Sequence, residues 1–494
     1  MSYRKTIVVT TLLIVTLASV VAAQSPKAAT PKAASAALAF VNDQPITLAD
    51  LDPEVGRMVD NLDKEILEAR RKELNTQISA FLIEAEAKRR KVTVEQLLNT
   101  EVLSRVAEPT AAEVQTVYDA NREKMGAASL ETVRPRIITY LRNQRIQKLT
   151  NELITRLRAS NSVVMGVDVN APNLAPTVTL ATVAGRTITA AFFDEQIKPE
   201  IYDLRMKVYE AEKSALDVKI NDLLLAAEAK RRGVTEQDLI RTEIVNKVRP
   251  LTDADVTKFY EENKARITGD LASRREEIRK YLEQQEQDRA ARAFIDQLRA
   301  GARLRLLLAE PDPPVQAIST DDDPSRGDPK APVTVVMFTD FQCPSCAAMH
   351  PVIDESLKAY GNRVRLVVRD YPLDIHEHAR KAAEAADAAN AQGKFFEYTA
   401  LLYKRQPALD VPSLKKYASE IGLDRARFDR ELDSGAYASE VRHDIEDGER
   451  YGVSATPTIF INGVRLRTIG AEEFKEALER AFARANQPAA STTK

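Results

Sequence analysis

The chain has only two cysteines, and they stand three apart in Cys343-Pro344-Ser345-Cys346. Two thiols at that spacing can close a small ring, so the chemistry they could do is thiol–disulfide exchange. Two other readings of the pair need weighing. Half of a metal site would need further ligands; His350 lies one turn beyond Cys346, but no fourth ligand follows. A purely structural bridge is the other, although an ordered strand-to-helix junction hardly requires one. The expectation is therefore a redox-active pair with no metal and no separate cofactor.

The flanking residues say how the pair is held. Val333-Thr334-Val335-Val336-Met337-Phe338 is a β-branched and apolar run, the mark of a buried strand. It delivers the cysteines to the start of a helix continued by Ala347, Ala348 and Met349. At that start, unpaired N–H groups and the helix dipole favour a negative sulfur, so Cys343 should carry a lowered pKa. Pro344 suits the first helical position, where its missing N–H loses nothing; Ser345 completes the intervening pair. Farther on, Ser454-Ala455-Thr456-Pro457-Thr458 leads into Ile459-Phe460-Ile461, the turn Asn462-Gly463 and Val464-Arg465-Leu466, a β-hairpin pattern with proline at a strand entrance.

Gly327-Asp328-Pro329-x-Ala331-Pro332-Val333, Phe338-Thr339-Asp340-Phe341-Gln342 before the cysteines, Thr456-Pro457-Thr458, Gln392-Gly393-Lys394-Phe395-Phe396-Glu397 and a terminal helix over Phe474–Phe482 together resemble the DsbA-like thioredoxin-fold family. The resemblance spans about 155 residues, placed at 333–485. It implies an α/β thioredoxin fold with a helical insertion over about 375–443, whose Ala-rich periodicity points to helix independently. It also implies a cis Thr456–Pro457 bond facing the cysteines, Thr456 presenting its backbone to an extended client, and Cys343 and Cys346 as the catalytic pair. The chain departs from the family at Met337, where members often carry a buried glutamate serving the second cysteine. Thr456 differs from the valine of the archetypal oxidase and is similar to the isomerase branch. Oxidase, and isomerase or reductase, both stay open.

The other histidines carry less. His350 could tune the thiolate, but two helical turns from Cys343 it reads first as a solvated helix residue. His376 and His378 do not share a helix face and read as loop or cap residues; His443 has no partner type nearby in sequence.

Upstream, the chain repeats itself. Phe40-Val41 with Ile46-Thr47, Glu86-Ala87-Lys88-Arg89-Arg90, and Tyr118 with Asn121 all recur 142 residues on, as Thr182-Val183 with Ile188-Thr189, Glu228-Ala229-Lys230-Arg231-Arg232, and Tyr260 with Asn263. Leu74, Ile78, Phe81, Leu82 and Ala85 line one face of a helix, and Leu216, Ile220, Leu223, Leu224 and Ala227 repeat it. Thr93 with Gln96, Thr110 with Glu113, Thr235 with Asp238 and Thr252 with Asp255 mark helix starts. The Lys-Arg-Arg clusters read as solvated helix ends. The period is too long for a solenoid and predicts two mainly α-helical modules, 38–172 and 173–310. With their Val41-Asn42-Asp43-Gln44-Pro45-Ile46-Thr47 opening, they resemble the helical part of SurA-type chaperones without a parvulin domain. That resemblance implies binding of unfolded clients; a dimerising or spacer module is the alternative.

Between modules and strand, 311–332 holds six prolines and Asp321-Asp322-Asp323 and reads as a semi-extended linker. At the other end, Arg4 and Lys5 precede an uncharged run closing on Val21-Ala22-Ala23, the pattern of a signal peptide over 1–23; an uncleaved anchor is the alternative. A flexible lead-in over 24–37 and a disordered tail over 486–494 complete the layout. Periplasmic or secreted location follows as an expectation, and such compartments let disulfides persist. With 71 Lys+Arg against 73 Asp+Glu, net charge argues against nucleic acid, and 29% charged residues argue against a polytopic membrane protein. The whole reads as an exported protein thiol–disulfide oxidoreductase acting on folding exported proteins and served by a membrane redox partner. A chaperone or scaffold with inert cysteines is the rival from another class.

Overall fold

The computed structural model describes residues 36–122, 128–264, 267–320 and 322–486. The expected signal peptide, nearly all of the lead-in and all but the first residue of the tail lie outside them.

The upstream part follows one plan twice. First come the hairpin β1 (Ala37–Val41) and β2 (Gln44–Thr47), then α1 (Pro53–Arg90), α2 (Val94–Glu101), α3 (Ala111–Ala120), α4 (Leu130–Ser160) and a short strand β3 (Val163–Met165). The second round is β4 (Thr179–Val183), β5 (Arg186–Thr189), α5 (Ala190–Arg232), α6 (Glu236–Glu243), α7 (Asp253–Asn263), α8 (Leu271–Ala300) and β6 (Leu304–Leu306). Both hairpins turn through left-handed residues, Asn42-Asp43 in one and Ala184-Gly185 in the other, which matches the twist of the paired strands. The threonines read as helix starts are caps: reciprocal capping boxes close on Thr93, Thr110 and Thr252, and Thr235 accepts from the Asp238 N–H. At the ends of α1 and α5 the basic clusters are paired as well as solvated. Arg89 and Arg90 hold Glu86 down to about 2, and Arg231 and Arg232 do the same to Glu228.

The hairpins are completed crosswise. β1 takes β6 on its free edge, with Ala39 opposite Leu306 and Val41 opposite Leu304. β4 takes β3, with Val163 opposite Val183. Each hairpin is thus finished by the strand that ends the other repeat. The core behind β1 is built the same way: Ala39, Val41, Ile46, Leu51 and Val55 pack with Leu216, Ile220 and Leu224. Accordingly, described residues up to 71 belong to one compact unit with 200–312, while 72–199 belong to the other, which also holds 313–494. The sequence periods 38–172 and 173–310 and the packing units are therefore offset by a hairpin and part of a helix.

From Gln316 onward the chain differs from an open linker. The Gln316 N–H donates to the Gly463 carbonyl, and the Ser319 N–H to the Tyr451 hydroxyl. Ser325–Arg326 forms a short strand, β7. The cause is partner demand: a sheet edge needs hydrogen bonds, and the fully buried Arg369 needs Asp323.

The remaining elements are β8 (Val333–Thr339), α9 (Pro344–Tyr360), β9 (Val364–Asp370), α10 (Ala379–Asn390), α11 (Phe395–Lys404), α12 (Val411–Glu420), α13 (Arg425–Ser434), α14 (Ala438–Arg450), β10 (Thr458–Ile461), β11 (Val464–Arg465) and α15 (Ala471–Ala485). The sheet runs β11-β10-β8-β9-β7, with β8 and β9 parallel and the other pairs antiparallel. Both faces are covered, which is why β8 reads as an unbroken apolar run. Val333, Val335 and Met337 join α9, α15 and the inserted helices in one core. Val336 and Phe338 join Val367, Tyr371, Val453 and Phe460 on the opposite face. The inserted helices run on to Arg450, past the expected 443, because α14 buries Val441, Asp444, Asp447 and Gly448.

Candidate active site

β8 ends at Thr339, and three residues later the chain enters α9 with Cys343 as its N-cap and Pro344 in the first turn. The intervening loop is braced from several sides. The buried Asp340 carboxylate accepts from the N–H groups of Gln342 (2.7 Å) and Leu373 (2.9 Å) and meets His376 Nδ1 at 2.6 Å. Gln342 accepts from the His378 N–H at 2.8 Å, and Gln406 Nε2 donates to the carbonyls of Phe341 and Cys343 at 3.0 and 2.8 Å. His376 and His378 thus hold the loop rather than react.

The two thiols are unequal. Cys343 is 7% exposed and Cys346 fully buried. Cys343 is held down to about 5. The Cys346 thiol contributes most, burial opposes it, and the Thr456 hydroxyl and the N–H groups of Cys346 and Ser345 add to it. The helix N–H groups expected from the sequence therefore assist, and the partner thiol, which the sequence reading did not weigh, leads. Cys346 is pushed up by burial first and by Cys343 second.

Thr456 and Pro457 come to the same place. Their bond is cis, and the Cys343 Sγ stands 3.4 Å from the Thr456 carbonyl oxygen. The Thr456 hydroxyl is buried with no other hydrogen-bond partner, which leaves it to donate to the Cys343 thiolate. Pro344 and Ser345 sit on the first turn of α9, both exposed.

Met337 lies within the core, so no carboxylate occupies that position. What meets Cys346 instead is the Thr339 hydroxyl and the Asp340 N–H, and Thr339 Oγ1 is 2.6 Å from the Tyr403 hydroxyl. His350 is not simply solvated: its ring lies 4.9 Å from that of Tyr403, its Nδ1 is 3.8 Å from Asp354, and burial pushes its pKa down. Sequence reading missed Thr339, Tyr403 and Gln406. Thr339 could have been found as the residue closing the strand; Tyr403 and Gln406 arrive from the insertion with no local signal.

Residues 319–480 match the family model described as Thioredoxin. The C-terminal part of the chain therefore has a thioredoxin-like fold. Among solved structures, BdbD from Bacillus subtilis is 24% identical and covers 35% of this chain and 100% of its own, with a TM-score of 0.33. A thioredoxin-like oxidoreductase from Silicibacter pomeroyi is 26% identical over 33% of this chain and 92% of its own, with a TM-score of 0.31. Among curated proteins, a Na(+)/H(+) antiporter NhaA of Salinispora tropica is 42% identical over 149 residues, 30% of this chain and 23% of that protein. One of Salinispora arenicola is 39% identical over 168 residues, 34% and 26%. The chain spans about a quarter of the length of these curated relatives.

Proposed function

We propose that the protein is a thiol–disulfide oxidoreductase in which Cys343 exchanges with clients and Cys346 is its internal partner. The observation that carries this is the geometry of the pair: Cys343 caps α9 with its Sγ 3.4 Å from the Thr456 carbonyl oxygen at a cis bond, beside a wholly buried Cys346. That arrangement holds the first thiol down and the second up. In the oxidising direction a client thiolate attacks Cys343 Sγ of the Cys343–Cys346 disulfide. The S–S bond breaks, a client–Cys343 disulfide forms, and Cys346 leaves with the electron pair and takes a proton. A second client thiolate then attacks the client sulfur, releasing Cys343 as a thiolate; the client is oxidised and the enzyme reduced by two electrons. A stabilised Cys343 thiolate favours the reduced enzyme, so its disulfide is an oxidant; this supports oxidase over reductase or isomerase. Thr456 offers its backbone to the client strand beside Cys343.

Export, action on folding exported proteins, client binding by the helical modules and a membrane redox partner belong to the same reading, supported by the leader-like start and by covalent fusion. Antiport is not carried over from the curated relatives, whose matches cover about a quarter of their length; no helix among the described residues is long and apolar enough to cross a membrane. The test is trapping. Cys346→Ala should accumulate client disulfides on Cys343 that dithiothreitol releases. Absence of any such species, with Cys343 reactive to iodoacetamide, would leave a scaffold with idle cysteines.

A further inference from the structure

When a Cys343–Cys346 disulfide opens on Cys343, Cys346 takes the electron pair, and the charge develops where water does not reach. Cys346 and Thr339 are fully buried, and Tyr403 is 8% exposed. Met337, on the same strand, lies in the apolar core and offers no donor. A thiolate in such a place is costly unless a donor is already aimed at it. The fold supplies a chain of two hydroxyls. Thr339 closes β8 two residues after Met337, so its side chain shares that face of the sheet. Its hydroxyl is within hydrogen-bonding reach of the Cys346 sulfur. The Tyr403 hydroxyl, delivered by α11, stands 2.6 Å from Thr339 Oγ1.

Both hydroxyls are held in place. The Thr339 carbonyl accepts from the Tyr371 N–H at 2.7 Å, which pins the end of β8. The Tyr403 ring packs against Phe341, with centroids 5.2 Å apart, and against His350 at 4.9 Å. Burial pushes the Tyr403 phenol well up, so it keeps its proton to donate. A hydroxyl donates and accepts, so the chain has two polarities. While Cys346 is a resting thiol, its S–H can donate to Thr339 and Thr339 to Tyr403. Once Cys346 carries negative charge the order reverses: Tyr403 donates to Thr339, and Thr339 donates to the sulfur. A donor that meets charge only as it develops stabilises the transition state more than either end of the reaction.

Building on the oxidoreductase reading, on which it rests, we propose that Thr339 is a catalytic residue that hydrogen-bonds the leaving Cys346 sulfur, and that Tyr403 positions it by donating to its oxygen. In the opening step a thiolate attacks Cys343 Sγ, a disulfide to Cys343 forms, and the Cys343–Cys346 bond breaks. The electron pair goes to Cys346 Sγ, against the Thr339 O–H. The proton that Cys346 then binds is returned by solvent, which received one when the attacking thiol ionised. The closing step, in which Cys346 attacks the mixed disulfide, passes through the same arrangement and gains equally. Neither the disulfide nor the resting dithiol holds a charged Cys346, so the hydroxyls set the rates and leave the reduction potential alone.

The experiment opens the oxidised full-length protein with excess dithiothreitol, whose second thiol closes on the first and makes opening irreversible; acid-quenched samples are alkylated and their thiols counted by mass. Thr339→Val should slow opening about tenfold, one hydrogen bond to a charged sulfur being lost, and Thr339→Ser should restore it to within about threefold of wild type. Tyr403→Phe should slow it about threefold in the wild-type background and not at all beside Thr339→Val, because Tyr403 acts only through Thr339. The equilibrium constant against a glutathione buffer should stay within about twofold in every variant, which a merely loosened fold would not give. Should Thr339→Val fold poorly, Tyr403→Phe decides alone: slower opening at an unchanged constant supports the role, and unslowed opening overturns it. Wild-type speed in Thr339→Val, a rate loss matched by the equilibrium constant, or equal loss from Tyr403→Phe in both backgrounds would each overturn it while the oxidoreductase reading stood. A wild-type disulfide that dithiothreitol does not open in the folded protein would end both together.

Discussion

A thiol held near 5 makes the reduced protein's stability depend on pH in a definite sense. Unfolded, Cys343 titrates near 8.5; folded, it is depressed to about 5. The unfolded chain therefore binds more protons between those values, and the contribution is fully present above the upper one and lost as pH falls through the lower. Cys346 is raised in the folded state, so its contribution is present below about pH 8.5 and lost as pH rises beyond it. Reduced protein should gain denaturation midpoint relative to oxidised protein from pH 5 to 8.5; a flat difference across that window would refute the unequal pair. Thiolate absorbance should report the same midpoint near 5. Thr456→Val removes the hydroxyl while keeping the carbonyl, so that midpoint should rise by about one pH unit, one charge-assisted hydrogen bond being lost. A less stable thiolate means a less stable reduced form, so the reduction potential should fall by about 30 mV against a glutathione buffer. Behind Cys346, Tyr403→Phe leaves the Thr339 hydroxyl buried without its 2.6 Å partner. That should cost about 1–3 kcal/mol by denaturant unfolding.

Elements were legible where periodicity and capping speak locally. The strand over Val333–Phe338, the helix opening on Cys343 and the threonine-capped helices all announce themselves within a few residues, because alternation and caps are local properties. Pairings between distant segments do not. Nothing near Leu304 says that it will lie against Val41, nor near Tyr403 that it will meet Thr339. The Pro- and Asp-rich stretch before β7 reads as a semi-extended linker because a buried partner such as Arg369 is not visible from it. Crosswise completion of the hairpins gives its own test. Ile46 is buried in a core with Leu216, Ile220 and Leu224, so Ile46→Ala should cost about 2–5 kcal/mol. Hydrogen exchange should speed up over 216–224, some 170 residues away in sequence, and stay unchanged over the matching face Leu74–Ala85. Exchange rising over 74–85 instead would mean that each repeat packs on itself. In the C-terminal part, Gly448 lets α14 approach the sheet: a methyl group there would meet the Tyr371 ring at 2.8 Å and Phe338 at 3.2 Å. Gly448→Ala should destabilise by about 1–3 kcal/mol through overpacking.

At the scale of the whole chain, the cores around β8 draw their residues, among those described, from 318 to 482. The thioredoxin-like part thus carries the elements of its own stability, and excision is a fair way to ask what the helical part adds. If the modules hold unfolded clients, linkage keeps client thiols at a high effective concentration near Cys343, and affinity multiplies without any new contact. That benefit applies only to a substrate long enough to engage both parts. Removing residues 38–312 should therefore leave turnover of a short dithiol peptide unchanged while lowering the efficiency of oxidising a reduced, unfolded protein at limiting concentration. The loss should appear in KM rather than kcat, because the chemistry at Cys343 is untouched and only capture is impaired. Equal loss on peptide and protein would point to a damaged fold, and no loss on either would make the helical modules spacers.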